Sequence, residues 1–528
     1  MSAQALPQLL RSIEEPGVRA ASQSQRSRPG MDVRRSRHVA IDQSVLVEQR
    51  IALDLFPGTQ IEVDALSSRW SDDGSTHLWV GKIAGMTRGQ VVLAATGDIV
   101  SANITTDTEE FYWIRQVDGD VHVVQHIEAR PGRLRNDSVR VPPGEFEEAG
   151  GIEKSRTPER LALVDRDAGN TAIDILVCYT VAARNAAGGT AAIQNKIQLA
   201  VAETNQGYVN SNIGIDLRLA GTLEVNYDES SGIDAALTRL RGSSDGYMDE
   251  VHAARNSLGA DMVSLWIEDV GSMGGVIGLG YLMTNVSSSF SGLAFSATEQ
   301  YWAAGPGYAF SHELGHNMGA EHDRLNAGGE GAYPYSYGYQ QTNLPTRFRT
   351  IMAYGCDNVW CPAINYWSNP AVSYSGAATG VASTSLNSAD NALTLNNSKA
   401  TVSAFRSGGG GCFYSISPGS GIYGVAGGSG TISVTAGTGC AWTATTASSW
   451  ITVTSGASGS GNGSVGYSVA SNTGASRTGS ISIGGQTFAI SQSAVSCSYS
   501  ISPGSASYNA GGGYGFVNVT AGAGCGWT

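Results

Sequence analysis

Thirteen residues limit what this chain can be more than any other stretch: SHELGHNMGAEHD, Ser311 to Asp323, which holds three of its eight histidines. His312 and His316 are four apart, so on a helix they stand one turn apart on the same face. Both imidazoles can then reach one cation at about 2.0–2.1 Å. Glu313, next to His312, points around the helix and sits near a metal-bound water without being a ligand. Gly319 lets the backbone leave the helix through a positive φ, and that turn swings His322 back as a third ligand. Three neutral ligands leave a position open, the pattern of a catalytic rather than a structural zinc. The spacing therefore predicts one zinc ion on His312, His316 and His322, with Glu313 as general base toward a polarised carbonyl. The bland alternative is an amphipathic helix that happens to carry histidines, and the third histidine beyond a glycine weighs against it.

A chain of 528 residues has room for several domains. Its net charge of −13 opposes a phosphate-backbone partner, so no nucleic acid is expected. No apolar run reaches the length of about eighteen residues that a membrane-spanning helix needs. Charge is uneven: the first stretch is arginine-rich, whereas Arg477 alone is charged between Ser407 and Thr528. Of the seven cysteines, six pair plausibly by position, Cys356 with Cys361, Cys412 with Cys440 and Cys497 with Cys525. Such pairing suggests an oxidising compartment and a secreted protein. The printed opening lacks a signal-peptide core, although SAQA, Ser2 to Ala5, is like the small-residue end of a cleavage site. Cys178, in the apolar run IDILVCYT, is expected to be a buried free thiol.

These shifts divide the chain into a basic segment 1–43, a β-rich pro-domain 44–128, and a linker 129–170 open to maturation cleavage. A mixed α/β catalytic domain 171–406 follows, then a glycine linker 407–411. A β-sandwich repeat 412–494 and a partial second repeat 495–528 complete it. In the first β region short alternating runs such as THLWVGKIAG and QVVLAATGDIVSANI alternate with Gly and Asp turns. His122 and His126 there, and His252 further on, are expected to be structural. TAIDILVCYT, IDLRLAGTLEV and ADMVSLWIED read as strands. A helix places Ile193, Ile197, Ala200, Val201 and Thr204 on one face, and another ends at Gly259. In the tail, the stretch from Cys412 to Thr443 aligns without a gap with that from Cys497 to Thr528. The second copy stops part-way, so the sequence is expected to be a piece of a longer protein or the partial copy to be unfolded.

HELGHNMGAEHD followed by TIMAYG, Thr350 to Gly355, resembles the metzincin zinc metalloendopeptidases, and Asp323 after the third histidine is similar to their reprolysin branch. The resemblance covers roughly Thr171 to Arg406. It implies an α/β metzincin domain with Met352 as the methionine of the turn beneath the zinc ligands. VIGLGYLM, Val276 to Met283, corresponds to the edge strand that pairs with an extended peptide substrate. NYWSNP near Asn365 corresponds to a wall of the primed side. Tyr354 departs from the reprolysin pattern and resembles the tyrosine of the astacin and serralysin branches: a fifth ligand, an oxyanion donor, or a packed aromatic. The absence of a cysteine before Cys178 leaves latency to a carboxylate, another ligand or occlusion. The tail resembles BACON-type immunoglobulin-like repeats of bacterial secreted proteins, which implies a glycan or mucin partner. Trp442 and Trp450 are expected in the core, with sugar stacking as the alternative.

The sequence thus reads as a multidomain secreted zinc endopeptidase acting on proteins or peptides. Calcium is compatible with it, though nothing calls for it. Two readings compete: an adhesion protein with a vestigial protease domain, against which the intact His312, Glu313, His316 and His322 stand, and a zinc hydrolase of non-peptide amides.

Overall fold

The computed structural model describes residues 6–13, 31–108, 110–129, 170–268, 276–356, 359–406, 414–436, 441–460, 463–495, 498–522 and 527–528. The linkers 130–169 and 407–411 and the cysteines Cys412, Cys440, Cys497 and Cys525 lie outside the described residues. The chain divides into two compact units, Met1–Gly411 and Cys412–Thr528.

Nine antiparallel strands open the first unit: β1 (Leu10–Ser12), β2 (Met31–Ile41), β3 (Arg50–Phe56), β4 (Thr59–Trp70), β5 (His77–Ile83), β6 (Gln90–Thr96), β7 (Ile99–Thr105), β8 (Phe111–Asp118) and β9 (Val121–Ala129). They pair in the order β1-β2-β9-β8-β7-β6-β5-β4-β3. The sheet nearly closes on itself, because Leu9 N donates to Ala52 O at 3.0 Å and Ala52 N to Pro7 O at 2.9 Å. Two of its strands come from the basic segment 1–43, so residue 43 is no edge of this fold. The arginines of β2 find partners across the sheet: Arg34 pairs with Glu128 on β9, and the Arg35 guanidinium lies 4.4 Å from the Phe56 ring centre. His122 is held by Val100 N at 3.0 Å and by Asp120 O at 3.0 Å, and His126 stacks on Tyr112.

Alternation along β5 and β6 serves two cores. Trp79, Val91, Leu93 and Ala95 fill the interior of the sheet. Leu78, Val80, Val92 and Ala94 point outward and join the core of the next domain, so both faces are dry. That next domain is a five-stranded sheet of β10 (Thr171–Thr180), β11 (Ile215–Val225), β12 (Met262–Ile267), β13 (Gly278–Gly280) and β14 (Phe295–Glu299). Its order is β11-β10-β12-β14-β13, parallel except for the edge strand β13. Cys178 is free and buried on β10, where burial pushes its thiol pKa up. The helices are α1 (Val181–Ala187), α2 (Thr190–Asn210), α3 (Gly232–Arg241), α4 (Glu250–Leu258), α5 (Ala309–Asn317) and α6 (Asn391–Val402). α4 stops at Gly259, whose φ of +64° ends it in the left-handed region.

α2 buries more than the expected apolar face, since Asn195, Gln198 and Glu203 are buried too. They face the nine-stranded sheet. Asn195 Nδ2 donates to Ala94 O at 3.1 Å and Thr96 Oγ1 at 3.0 Å, and Asn103 Nδ2 donates to Glu203 Oε1 at 3.0 Å. Glu203 Oε2 also accepts from Gly305 N at 2.8 Å.

In the second unit the strands Tyr414–Ser417, Gly428–Ala436, Gly463–Val469 and Ile451–Ser455 form one sheet. Ser420–Tyr423, Gln486–Gln492, Arg477–Ile483, Ala441–Thr445 and Ser458–Ser460 form a second. One apolar core, with Val434, Val465, Ile481 and Phe488, draws on both. Trp442 is buried in it, which removes it as a sugar platform. Trp450 packs beside it under the Arg477 guanidinium, 4.3 Å from the ring centre. The partial repeat pairs Tyr499–Ser502 with Asn518–Ala521. The first copy pairs Tyr414–Ser417 with Gly428–Ala436 in the same way.

Burial pushes the Glu203 carboxyl up from 4.5 to about 7, while Gly305 N, Asn103 and the charge of Arg115 pull it back. The folded state therefore binds this proton more tightly than the unfolded chain does. The stabilisation is full below pH 4.5 and is lost as pH rises through 7, to a total on the order of 3 kcal/mol. Calorimetry of the parent and Glu203→Gln at pH 5 and pH 8 checks this. The parent should lose more stability than the variant on going to pH 8, and an equal or smaller loss contradicts the assignment.

Candidate metal centre

α5 carries His312 and His316, and it begins after Tyr308, whose φ of +49° bends the chain into the helix. Past the helix Gly319 adopts φ +94°, and Ala320 N returns to Gly315 O at 2.9 Å. A Cβ on Gly319 would lie 2.5 Å from that of Ala332 and 3.1 Å from Met283 O, so both conformation and space demand glycine. The turn leads into a short strand, Glu321–Asp323, which runs parallel to Tyr337–Gly338 and holds His322.

The three histidines come together: one ring nitrogen from each lies within 4.8 Å of the others, and all three side chains are buried. His316 Nε2 and His322 Nε2 are 3.1 Å apart. Two nitrogens on one tetrahedral zinc stand roughly 3.3 Å apart, so the donor set fits such an ion. The far nitrogens are held from behind. His312 Nδ1 donates to Ile351 O at 2.8 Å and His316 Nδ1 to Ala320 O at 2.8 Å. Carbonyls only accept, so both Nδ1 atoms carry the proton and each Nε2 bears the lone pair that could bind a cation. His322 Nδ1 faces Glu321 Oε1 at 3.2 Å, and the same oxygen accepts His322 N at 2.8 Å.

Glu313 is buried beside this cluster and lies against the edge strand β13. A Cβ at Gly278 would come within 2.2 Å of Glu313 Oε1, and one at Gly280 within 3.2 Å of Oε2. Met352 is fully buried beneath α5. Its Sδ would stand 2.5 Å from a Cβ at Gly315, so the glycine inside the histidine motif makes room for the sulfur. Tyr354 is half-buried, with its ring centre 4.3 Å from that of His322. Cys356 and Cys361 form a disulfide just beyond it, with Cα atoms 5.8 Å apart. Asp323 ties the two segments: its Oδ2 accepts Tyr354 N at 3.0 Å, and its Oδ1 accepts Leu325 N at 3.2 Å. Within NYWSNP, Asn365 and Trp367 are buried against α2, Asn365 Nδ2 donating to Glu203 O at 2.9 Å and Trp367 stacking on Tyr208. His252 stays away from the centre, with Nε2 3.1 Å from Leu240 O.

Sequence spacing singled out the three histidines that the fold brings together, and missed the groups behind them. Glu321, next to a histidine, carried a visible signal as a carboxylate partner. Ile351 O and Ala320 O, being backbone, carried none.

Two histidines on one helix, a third across a glycine turn and a glutamate between the first two define a metallopeptidase site. Residues 169–368 match metallo-peptidase family M12. A peptidyl-Asp metalloendopeptidase of Stenotrophomonas maltophilia (strain R551-3) is 36% identical over 385 residues, covering 70% of this chain and 86% of its own length. One of Xanthomonas campestris pv. campestris is 34% identical over 378 residues, 68% of this chain and 82% of its own. That of Pseudomonas fragi is 34% identical over 205 residues, 39% of this chain and all of its own. The chain belongs to the metallopeptidases of family M12, as a metalloendopeptidase related to these bacterial enzymes.

Gly319→Ala should weaken metal binding by at least about tenfold, because the added methyl displaces the turn that brings His322 in. Competition with a chromogenic chelator measures it, with circular dichroism to follow the fold. Unchanged affinity contradicts the role given to the turn.

Proposed function

We propose that this chain is a secreted zinc endopeptidase that cuts proteins beside aspartate. The observation that carries this is the convergence of His312, His316 and His322 on one point with Glu313 at its side. When bound there, zinc supplies Lewis-acid polarisation of the scissile carbonyl and an acidified water. His312, His316 and His322 would hold it through their Nε2 atoms. The Glu313 carboxylate takes the proton of the attacking water and passes it to the departing amine nitrogen. Because Gly278 and Gly280 have no side chains, that carboxylate can lie along β13, the strand against which an extended substrate would pair by its main chain. Tyr354 stands beside His322, in reach of a role as oxyanion donor or added ligand, and Met352 supports the centre from below. The aspartate preference is carried over from the peptidyl-Asp metalloendopeptidases to which the chain is related.

The nine-stranded sheet is read as a pro-domain that occludes the site. Its Phe111, Trp113 and Ile127 share an apolar cluster with Ile277 beside β13, Trp302 between β14 and α5, and Ala309 at the start of α5. Cleavage in the arginine-rich 129–170 stretch would free it. The tail repeats are read as a BACON-type targeting module for glycan or mucin, supported by sequence resemblance alone.

Incubation with casein, with and without a chelator, tests the enzyme reading beside Glu313→Ala. Cleavage should stop with the chelator and fall by about three orders of magnitude or more in the variant, which keeps its zinc. A variant that cuts as well as the parent rules out this mechanism. Mass spectrometry of the active form should find a new N-terminus between residues 129 and 170, and full activity of the uncut chain would refute the pro-domain.

A further inference from the structure

One cation near the centre is left with most of its donors unused. Arg349 lies just before the turn that carries Met352, and it is only 6% exposed. Its Nη1 donates to Ala353 O at 2.7 Å. Among the described residues that is the guanidinium's one hydrogen bond, and it makes no ion pair. A guanidinium has five N–H groups, and burying them without acceptors is costly.

Other arginines of this unit, buried Arg255, half-buried Arg115 and exposed Arg324, are tied down. Arg255 gives Nε to Ala260 O at 3.0 Å, Nη1 to Ser291 O at 2.9 Å and Nη2 to Asp261 O. Arg115 gives Nη1 to Ala102 O at 2.9 Å and Nη2 to Asn103 Oδ1 at 2.7 Å. Arg324, two residues past the third histidine, donates to Ser388 O at 2.9 Å and Pro334 O at 2.8 Å. Nε and Nη2 of Arg349 are not among the polar atoms sealed from solvent without a partner, so they border accessible space.

The surroundings place this cation beside the chemistry. The carbonyl that Arg349 holds belongs to Ala353, between Met352 and Tyr354, and the same turn offers Ile351 O to His312. Electrostatically it feels Tyr308, at the start of α5, and Asp323. Asp323 is already occupied by Tyr354 N, Leu325 N and Asn326 Nδ2. Burial lowers the Arg349 pKa to about 10, which leaves it charged at neutral pH.

We infer that Arg349 is the specificity-determining residue of this enzyme, pairing through its unspent N–H groups with the side-chain carboxylate of a substrate aspartate next to the scissile bond. This rests on the endopeptidase reading above. A planar fork matched to a carboxylate rejects the isosteric amide, because asparagine leaves the cation without a counter-charge.

The test compares two peptides differing only in one Asp or Asn, cut by the purified active protein and by its Arg349→Gln and Arg349→Lys variants. The parent should favour the Asp peptide in kcat/KM by about 100-fold. Arg349→Gln should bring that ratio to near one whatever its absolute rate, and Arg349→Lys should keep part of it. An unaltered ratio in Arg349→Gln, or a parent that cuts both peptides equally, overturns the inference. Should the variants fail to fold, Glu313→Ala protein treated with phenylglyoxal decides: the Asp peptide should shield Arg349 from modification and the Asn peptide should not. Equal modification with both overturns it. A parent that cuts neither peptide sinks the endopeptidase reading instead, and the shielding experiment then stands on its own.

Discussion

Everything at the centre depends on holding three imidazole rings from behind. A metal ligand is useful only if its lone pair points at the right place, and a histidine ring turns freely about two bonds unless its second nitrogen is engaged. Here Ile351 O, Ala320 O and Glu321 Oε1 engage those nitrogens. Each anchor comes from a different segment: the methionine turn, the glycine turn and the short strand after it. The fold's irregular stretches are therefore as necessary to the site as its helix, and Asp323 binds two of them together.

How much of this was legible depended on whether residue type or backbone carried the information. A four-residue spacing on a helix and a glycine before the third histidine carried the convergence of the three histidines, because residue type at fixed spacing encodes it. The strands β10, β11 and β12 were visible as apolar runs, and the tail repeat as self-similarity that reappears in matching strand pairs. The acceptors behind the rings were not visible, since any residue supplies a carbonyl.

Asn195, Gln198 and Glu203 lie outside the apolar face expected for α2, yet they are buried. They are polar groups satisfied by partners far away in sequence, such as Ala94 O and Asn103. A polar residue on its own reports nothing about burial, which becomes legible only when the partner is known. Arg349 is the converse case. Its charge was plain, but only the fold shows how few acceptors surround it.

The position of α2 between two sheets also has a meaning in time. Leu78, Val80, Val92 and Ala94 form the outer surface on which the helix lies, and all precede it in the chain. During synthesis, N-terminal units generally fold first. The strands that bed α2 thus leave the ribosome before the helix does, so the peptidase domain emerges after the surface on which it will pack has been synthesised.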